Sequence, residues 1–287
     1  MPVRVSGRIV FLTLATGCST ATSSPVAQPP ELRTGKSGQT DSSIVVSRGA
    51  TVYTPGRLQY DLQNSSVVRA IASDSAHRAD STRLIGTVTA TLVPGLTHNT
   101  VVAHVQFDSG SIASGSGTSV PIPPTESLVF TVDTETGRIA SMKQEVHQDC
   151  ATHGADGFPF YGREVLPTIH APVALAWIDT VETSTCRGGA FLSITRIASY
   201  TRLQASDSVL RLLRLTQFRI IGDGHQWNQK IRVSGEGKAT DTLRLSGFPL
   251  RVQEVAGSSE IELSFRTELR VQEFIQTSTT HIVLRTQ

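Results

Sequence analysis

From residue 44 to the end of the chain, apolar residues recur at every second position rather than at the spacing of a helix. The clearest run is 261–266 (IELSFR), in which Ile, Leu and Phe alternate with Glu, Ser and Arg. Side chains in a strand point alternately to its two faces, so this pattern places the apolar ones on one side. It predicts an antiparallel meander with one buried and one solvated face.

Similar runs in both halves of the chain predict further strands, at 58–62, 67–71, 83–93, 100–107, 127–132 and 138–146. Residues 208–221 (SVLRLLRLTQFRII) fit a strand or a short helix, and the strand is favoured because its neighbours are strands. Gly- and Pro-containing segments predict turns at 222–224, 235–237, 246–249 and 256–258. Residues 133–137 predict a hairpin turn with Gly137 at positive φ, and residues 109–124 predict a low-complexity loop.

These predictions describe a mainly β protein with a large antiparallel curved sheet or open half-barrel. The β-domain covers residues 43–287, in which two strand-rich halves, 43–146 and 191–287, are joined by a Pro-rich connector. The halves share a pattern rather than letters, so an internal duplication is an open alternative. The chain is long enough for such a domain to bury a sizeable core.

The first residues resemble a bacterial lipoprotein export signal. Arg4 and Arg8 are basic, residues 9–14 (IVFLTL) are apolar, and small residues precede Cys18. The apolar run is far shorter than the roughly 20 residues that span a bilayer, so it is not a transmembrane helix. We therefore expect removal of residues 1–17 and attachment of acyl chains such as palmitate to Cys18. An ordinary secretory peptide with a chance Cys is the alternative.

Residues 18–42 are rich in Ser, Thr, Pro and Gly without an apolar period, which predicts a flexible tether behind the lipidated Cys. Aromatic residues make up 6% and charged residues 17% of the chain, a mixture that favours β-structure. The formal charge of +2 includes Arg4 and Arg8, and residues 1–17 contain no acid, so the mature chain is close to neutral. A neutral chain without a basic run has no electrostatic footprint for nucleic acid.

Cys150 and Cys186 remain once Cys18 is assigned to the lipid, and we predict a disulfide between them in an oxidising compartment. Its loop of about 36 residues would contribute roughly 3–4 kcal/mol in the chain-entropy model. Two free thiols or a metal pair are the alternatives. His147, Asp149 and His153 flank Cys150, but without its thiolate they form an incomplete zinc set. We therefore expect a polar loop and no metal there.

No motif indicates catalysis or nucleotide binding. The chain has no G-x-S-x-G elbow, Ser114 and Ser116 lack a local base, and no glycine-rich phosphate loop occurs. We therefore expect a non-catalytic protein without a cofactor. Trp177 and Trp227 are interpreted as core or rim anchors, with the lining of a ligand cavity as the alternative.

The remaining candidates are polar residues within strand patterns. His104 and His281 are interpreted as exposed or locally satisfied side chains. The arginines that alternate with apolar residues in the C-terminal third are interpreted as the solvated face of the sheet: Arg244, Arg251, Arg266 and Arg270.

The export signal, the tether and the antiparallel domain together resemble the lipoprotein-carrier (LolA/LolB-like) group of bacterial cell-envelope proteins. The resemblance covers about residues 43–287 in pattern only. It implies an incomplete barrel that shelters acyl chains in an apolar concavity, and hence a lipid-anchored protein that binds or carries a hydrophobic ligand. Ser19 after Cys18 is similar to sorting signals for the periplasmic face of the outer membrane. A structural or assembly lipoprotein acting through protein contacts is the alternative, followed by an envelope hydrolase.

Overall fold

The structure is a computed structural model, and 84% of what it describes is β-strand. The described residues are 53–71, 79–115, 117, 119–122, 124, 128–135, 137–143, 164–167, 169, 175–187, 190–205, 209–226, 229–246, 249 and 251–285. Within these ranges, no helix has the length and apolar character needed to cross a membrane.

Twelve strands form a single antiparallel sheet. Their bounds are β1 Gly56–Ala70, β2 Ala79–Pro94, β3 Thr100–Ser114, β4 Ser119–Ile122, β5 Leu128–Asp133, β6 Ile139–Lys143, β7 Ala176–Arg187, β8 Ala190–Ala205, β9 Val209–Gln226, β10 Gln229–Ser246, β11 Arg251–Arg266 and β12 Val271–Leu284. The strand favoured over 208–221 is confirmed as β9.

The order across the sheet is β6-β5-β3-β2-β1-β12-β11-β10-β9-β8-β7, with β4 paired to β3 beside this path. The first and last strands are therefore neighbours at its centre, where Tyr60 pairs with Leu284 and Ala70 with Phe274. The sheet does not close, because its path ends at β6 on one side and β7 on the other among the described strands. The expected large antiparallel sheet of open form is confirmed.

Three of the predicted turns are wrong. Residues 222–224, 235–237 and 256–258 lie inside β9, β10 and β11. Glycine is needed within these strands because neighbouring atoms leave no room for a side chain. A Cβ on Gly237, for example, would lie 2.7 Å from Ile261 Cγ1 on the neighbouring strand. β10 ends at Ser246 and β11 begins at Arg251, so the turn predicted at 246–249 overlaps the connection between them, and Gly137 has the expected positive φ, +67°.

Two further predictions about strand limits are corrected. The segments 58–62 and 67–71 are not two strands: residues 58–62 and 67–70 belong to one continuous strand, β1, whose middle carries polar side chains on the buried face. The loop predicted over 109–124 is shorter, because β3 continues to Ser114 and β4 pairs back onto it. Small residues suit this part of β3, since the ring of Phe107 lies over Gly110 and its cross-strand partner.

A short segment between β6 and β7 demonstrates that the sheet is curved. Glu164, at one end of the segment, forms an ion pair with Arg214 on β9. Three residues later, the carbonyl oxygen of Pro167 lies close to Gly137, just beyond β5, where it would be 3.1 Å from a Cβ added to this glycine. Residues three apart have α-carbons within about 11 Å of each other. In a flat sheet, β5 and β9 are seven strand spacings apart, about 34 Å. The sheet must therefore curl around this segment, and we call its concave side the inner face.

Two apolar clusters occupy the inner face. The larger one extends over every main-path strand from β5 to β7 and includes Tyr60, Phe130 and Trp177. The smaller one contains Phe218, Ile220, Ile261 and Leu263 on β9 and β11 together with neighbouring residues of β8 and β10. Residues 164–167 and 169, here called the inner segment, add Val165, Leu166 and Ile169 to the larger cluster. The segment therefore covers part of the apolar concavity.

Candidate ligand site on the inner face

A band of buried polar side chains separates the two apolar clusters. The strand register places it in two adjacent rows that cross five strands. One row contains Arg214, Asp241, Gly257, Thr280 and Asn64, and the other contains Thr216, Ala239, Ser259, Ser278 and Ser66. Every polar member is at most 6% exposed. This polar band is thus an interruption of the core rather than part of the solvated surface.

Four charged groups are concentrated where the polar band meets β8. The carboxylate of Glu164 contacts Arg214 Nη2 through Oε2 and lies 2.9 Å from Arg196 Nη2 through Oε1. Arg214 also donates from Nε to Asp241 Oδ2 at 2.9 Å. A Cβ on Gly257 would collide with Asp241 Oδ1, so the glycine leaves room for this carboxylate. We call Glu164, Arg196, Arg214 and Asp241 the charged cluster.

Burial and mutual charge shift the pKa values within the charged cluster in opposite directions. Burial opposes ionisation of Glu164, but Arg196 and Arg214 more than offset it and hold the pKa of Glu164 below its usual value. Burial raises the pKa of Asp241, Arg214 opposes this shift, and the charge of Glu164 raises the pKa further. Burial also opposes the charge on Arg214, but the two carboxylates raise its pKa well above the usual value.

Several buried donors and acceptors in this region have no hydrogen-bond partner among the described residues. They are Arg196 Nε and Nη1, Arg214 Nη1, Thr216 Oγ1, Ser66 Oγ, Asn64 Oδ1, Tyr60 Oη and Glu164 Oε1, which forms an ion pair with Arg196 but no hydrogen bond. Leaving such a group unsatisfied costs about 1–3 kcal/mol, and more when it is charged. Buried polar groups are normally hydrogen-bonded, so a set of this size points to polar atoms that come from a bound molecule or water.

The opposite pKa shifts predict a pH-dependent effect of replacing Asp241 with asparagine. Because the pKa of Asp241 is raised by folding, its protonation stabilises the folded state below about pH 4, and this contribution is lost as the pH rises. The introduced amide stays neutral, so the free energy of unfolding of Asp241→Asn should improve relative to the native chain from pH 4 upward. Urea unfolding of both chains between pH 4 and pH 8 measures the difference.

The matched control for this experiment is Asp223→Asn, since the Asp223 side chain is 67% exposed. It makes the same Asp-to-Asn change at an exposed position of the same sheet, so the Asp241→Asn difference is compared with it at each pH. An Asp241→Asn difference that stays constant, or that moves against the variant as the pH rises, would contradict the raised pKa.

Of the two tryptophans, Trp177 lies beside the charged cluster. It is 7% exposed and stacks on Tyr200 at 5.1 Å and 8°. Tyr200 pairs in turn with Arg214 in the register. Trp177 is therefore a core residue at the end of one row of the polar band. Trp227 lies outside the described residues.

The lipid, disulfide and metal predictions fall on other parts of the chain. Cys18, Cys150, His147, Asp149 and His153 lie outside the described residues. The backbone of Cys186 belongs to β7, but its side chain is not described, so the disulfide stays a prediction. Within the described ranges there is no group of three or more His, Cys, Asp or Glu residues that could hold a metal ion.

The four arginines and His281 agree with their interpretation, whereas His104 is half-buried on β3. The Arg244, Arg251, Arg266 and Arg270 side chains are exposed. His281 is exposed and its Nε2 lies 3.0 Å from Glu254 Oε1.

No family model matches this chain, and a search of the curated proteins finds no significant match. The inner face itself therefore carries the functional argument.

The sequence interpretation missed all four residues of the charged cluster. Arg214 and Asp241 lie in phase with the buried leucines of β9 and β10. A charged residue at a buried position of a period-2 pattern is the signal that could have identified them. Glu164 had no such signal, since no regular pattern surrounds it.

Proposed function

We propose that this protein is a lipid-anchored protein of the cell envelope that binds or carries a hydrophobic ligand on its inner face without catalysing a reaction. The observation that carries this proposal is the polar band with unpartnered buried donors between two apolar clusters. Binding sites for small molecules combine a mostly apolar lining with a few convergent polar groups. The inner face has this combination, and it lies on the concave side of an open sheet.

The inner segment supports a site that can open. Glu164 and Leu166 are buried on the inner face, yet neither belongs to a strand. Their displacement would break no hydrogen bond of the sheet ladder among the described strands. A ligand could therefore replace these side chains without unfolding the sheet.

The location is part of the same proposal. Residues 1–17 act as a lipoprotein signal peptide, palmitate or a similar acyl chain is attached at Cys18, and Cys150 forms a disulfide with Cys186. The anchor would hold the β-domain at the periplasmic face of the outer membrane, within reach of lipids. No cofactor is required, since ligand binding here uses only the side chains of the inner face.

Mass spectrometry of the full chain purified from the cell envelope tests these points together. The denatured mass should lack residues 1–17, include acyl chains and be two hydrogens lighter than the reduced form. The native mass should include a non-covalent lipid that is released on denaturation. In the matched control Cys18→Ser, the acyl mass should disappear. A native mass without a lipid would overturn the ligand proposal, and an unmodified Cys18 would overturn the anchor.

A second candidate is a structural or assembly lipoprotein that binds a protein partner. Ile178, Ile197 and Leu215 are 66%, 40% and 49% exposed near the β7 edge of the sheet, and no described strand pairs with the outer side of β7. Exposed apolar residues beside an open edge favour association. A co-purifying protein together with an absent lipid in the same experiment would support this candidate.

A further inference from the structure

We propose that Arg196 and Arg214 bind the carboxylate of an amphipathic ligand such as a fatty acid, and that Glu164 occupies this position until the ligand displaces it. This inference rests on the proposed function and names the chemical class of the ligand. It assigns the polar head to the charged cluster and the alkyl chain to the apolar surface that the inner segment covers.

The geometry already describes a carboxylate site. The two oxygens of Glu164 are divided between the guanidinium groups of Arg196 and Arg214. Both arginines are at most 5% exposed. A pair of guanidinium groups fixes a carboxylate through charge-assisted hydrogen bonds, which are roughly twice as strong as neutral ones.

Both arginines have N–H donors that Glu164 does not use. Nε and Nη1 of Arg196 and Nη1 of Arg214 have no partner in the described part of the chain. Glu164 is attached to the inner segment and uses only Nη2 of each arginine. Glu164 contacts Nη2 of Arg196 and leaves the neighbouring Nε without a partner. A free carboxylate is not restrained by a backbone, so its two oxygens can accept hydrogen bonds from both Nε and Nη2 of Arg196.

The inner segment combines the same two kinds of group as the proposed ligand, a carboxylate and an apolar portion. One carboxylate, on Glu164, is followed by the buried apolar side chains of Val165, Leu166 and Ile169. Their withdrawal would uncover apolar surface directly beside the arginines. A ligand with a carboxylate and an alkyl chain would bind the two arginines through the carboxylate and cover the uncovered apolar surface with the alkyl chain. It could therefore take the place of the segment.

The charge balance favours exchange with a monoanion. Two arginines and two carboxylates are present in the charged cluster. Replacing one carboxylate by another leaves the balance unchanged, whereas insertion of a neutral head would leave a buried guanidinium without its counter-charge. A dianionic phosphate would instead add negative charge next to Asp241.

Photolabelling of the full chain in membranes tests the proposal. The probes are a clickable diazirine analogue of lauric acid and the corresponding alcohol, with labelled peptides identified by mass spectrometry. The acid should label inner-face peptides beside the charged cluster and along the larger apolar cluster that the inner segment covers, and unlabelled laurate should compete at least about tenfold more strongly than dodecanol. Equal competition by laurate and dodecanol would overturn the carboxylate assignment, as would stronger competition by dodecyl phosphate.

Two variants test the residues. Arg196→Gln should reduce labelling by the acid about tenfold and leave labelling by the alcohol unchanged. Glu164→Gln should increase labelling by the acid, because an amide competes less well for the two guanidinium groups. The matched controls are Arg244→Gln and Glu236→Gln, whose native side chains are exposed on β10. Unchanged labelling in both Arg196→Gln and Glu164→Gln would overturn the proposal.

The outcomes separate this inference from the proposed function. Labelling of the inner face by both probes, without preference for the acid, would overturn the carboxylate site but retain a hydrophobic ligand. An absence of inner-face labelling by either probe would overturn both. Thermal unfolding of each variant establishes that it is folded, and the comparison of laurate with dodecanol on the native chain does not depend on any variant.

Discussion

Replacing Arg214 with methionine should lower the free energy of unfolding by about 3–5 kcal/mol. Arg214 is 1% exposed and pairs with both Glu164 and Asp241. Its removal leaves two buried carboxylates with only Arg196 as a counter-charge, and their desolvation is then poorly compensated. Chemical denaturation of the native and variant chains at pH 7 gives the difference.

A double replacement distinguishes loss of charge balance from loss of packing. Arg214→Met together with Asp241→Asn leaves Glu164 with its partner Arg196 and should recover about half of the lost stability or more. The control Arg244→Met removes an exposed arginine whose Nε lies 3.4 Å from Glu254 Oε2, and it should cost no more than about 1 kcal/mol. A loss for Arg214→Met as small as the control's would contradict the buried network.

The alternation of apolar residues was sufficient to predict the class of fold but not its strand lengths. Turn residues were interpreted by their average preference, and Gly237 lies within β10 because the neighbouring Ile261 leaves no room for a side chain. Likewise, Asn64 and Ser66 in the middle of β1 made one strand look like two. Both errors have one cause. Packing between neighbouring strands determines which residue fits at a position, and a single sequence does not show which residues are paired across strands.

The candidate site was harder to predict than the fold for the same reason. Arg196, Arg214 and Asp241 come from three strands, and only the register brings them together. Glu164 arrives from a connector whose sequence has no period. Trp177 was a candidate ligand contact because its side chain is large and aromatic. The more informative feature is a charged residue at a position where the period-2 pattern calls for a buried apolar one.

Replacing Ile282 with alanine should lower the free energy of unfolding by about 2–5 kcal/mol. Ile282 is fully buried on β12 and is paired with Leu62 on β1 and with Val255 on β11. The β1–β12 ladder is the pairing that joins β1–β6 to β7–β12 in the described sheet. A cavity at this position therefore weakens the contact between the two parts as well as the local core.

The neighbouring substitution Val283→Ala provides the control, because Val283 lies on the opposite face of β12 and is only partly buried. It should cost about 1 kcal/mol or less. Both variants should still unfold in a single transition with an unchanged denaturant slope, since the strands on either side of the ladder share one continuous apolar cluster. A second transition in Ile282→Ala would contradict this and indicate that β1–β6 and β7–β12 unfold as separate units.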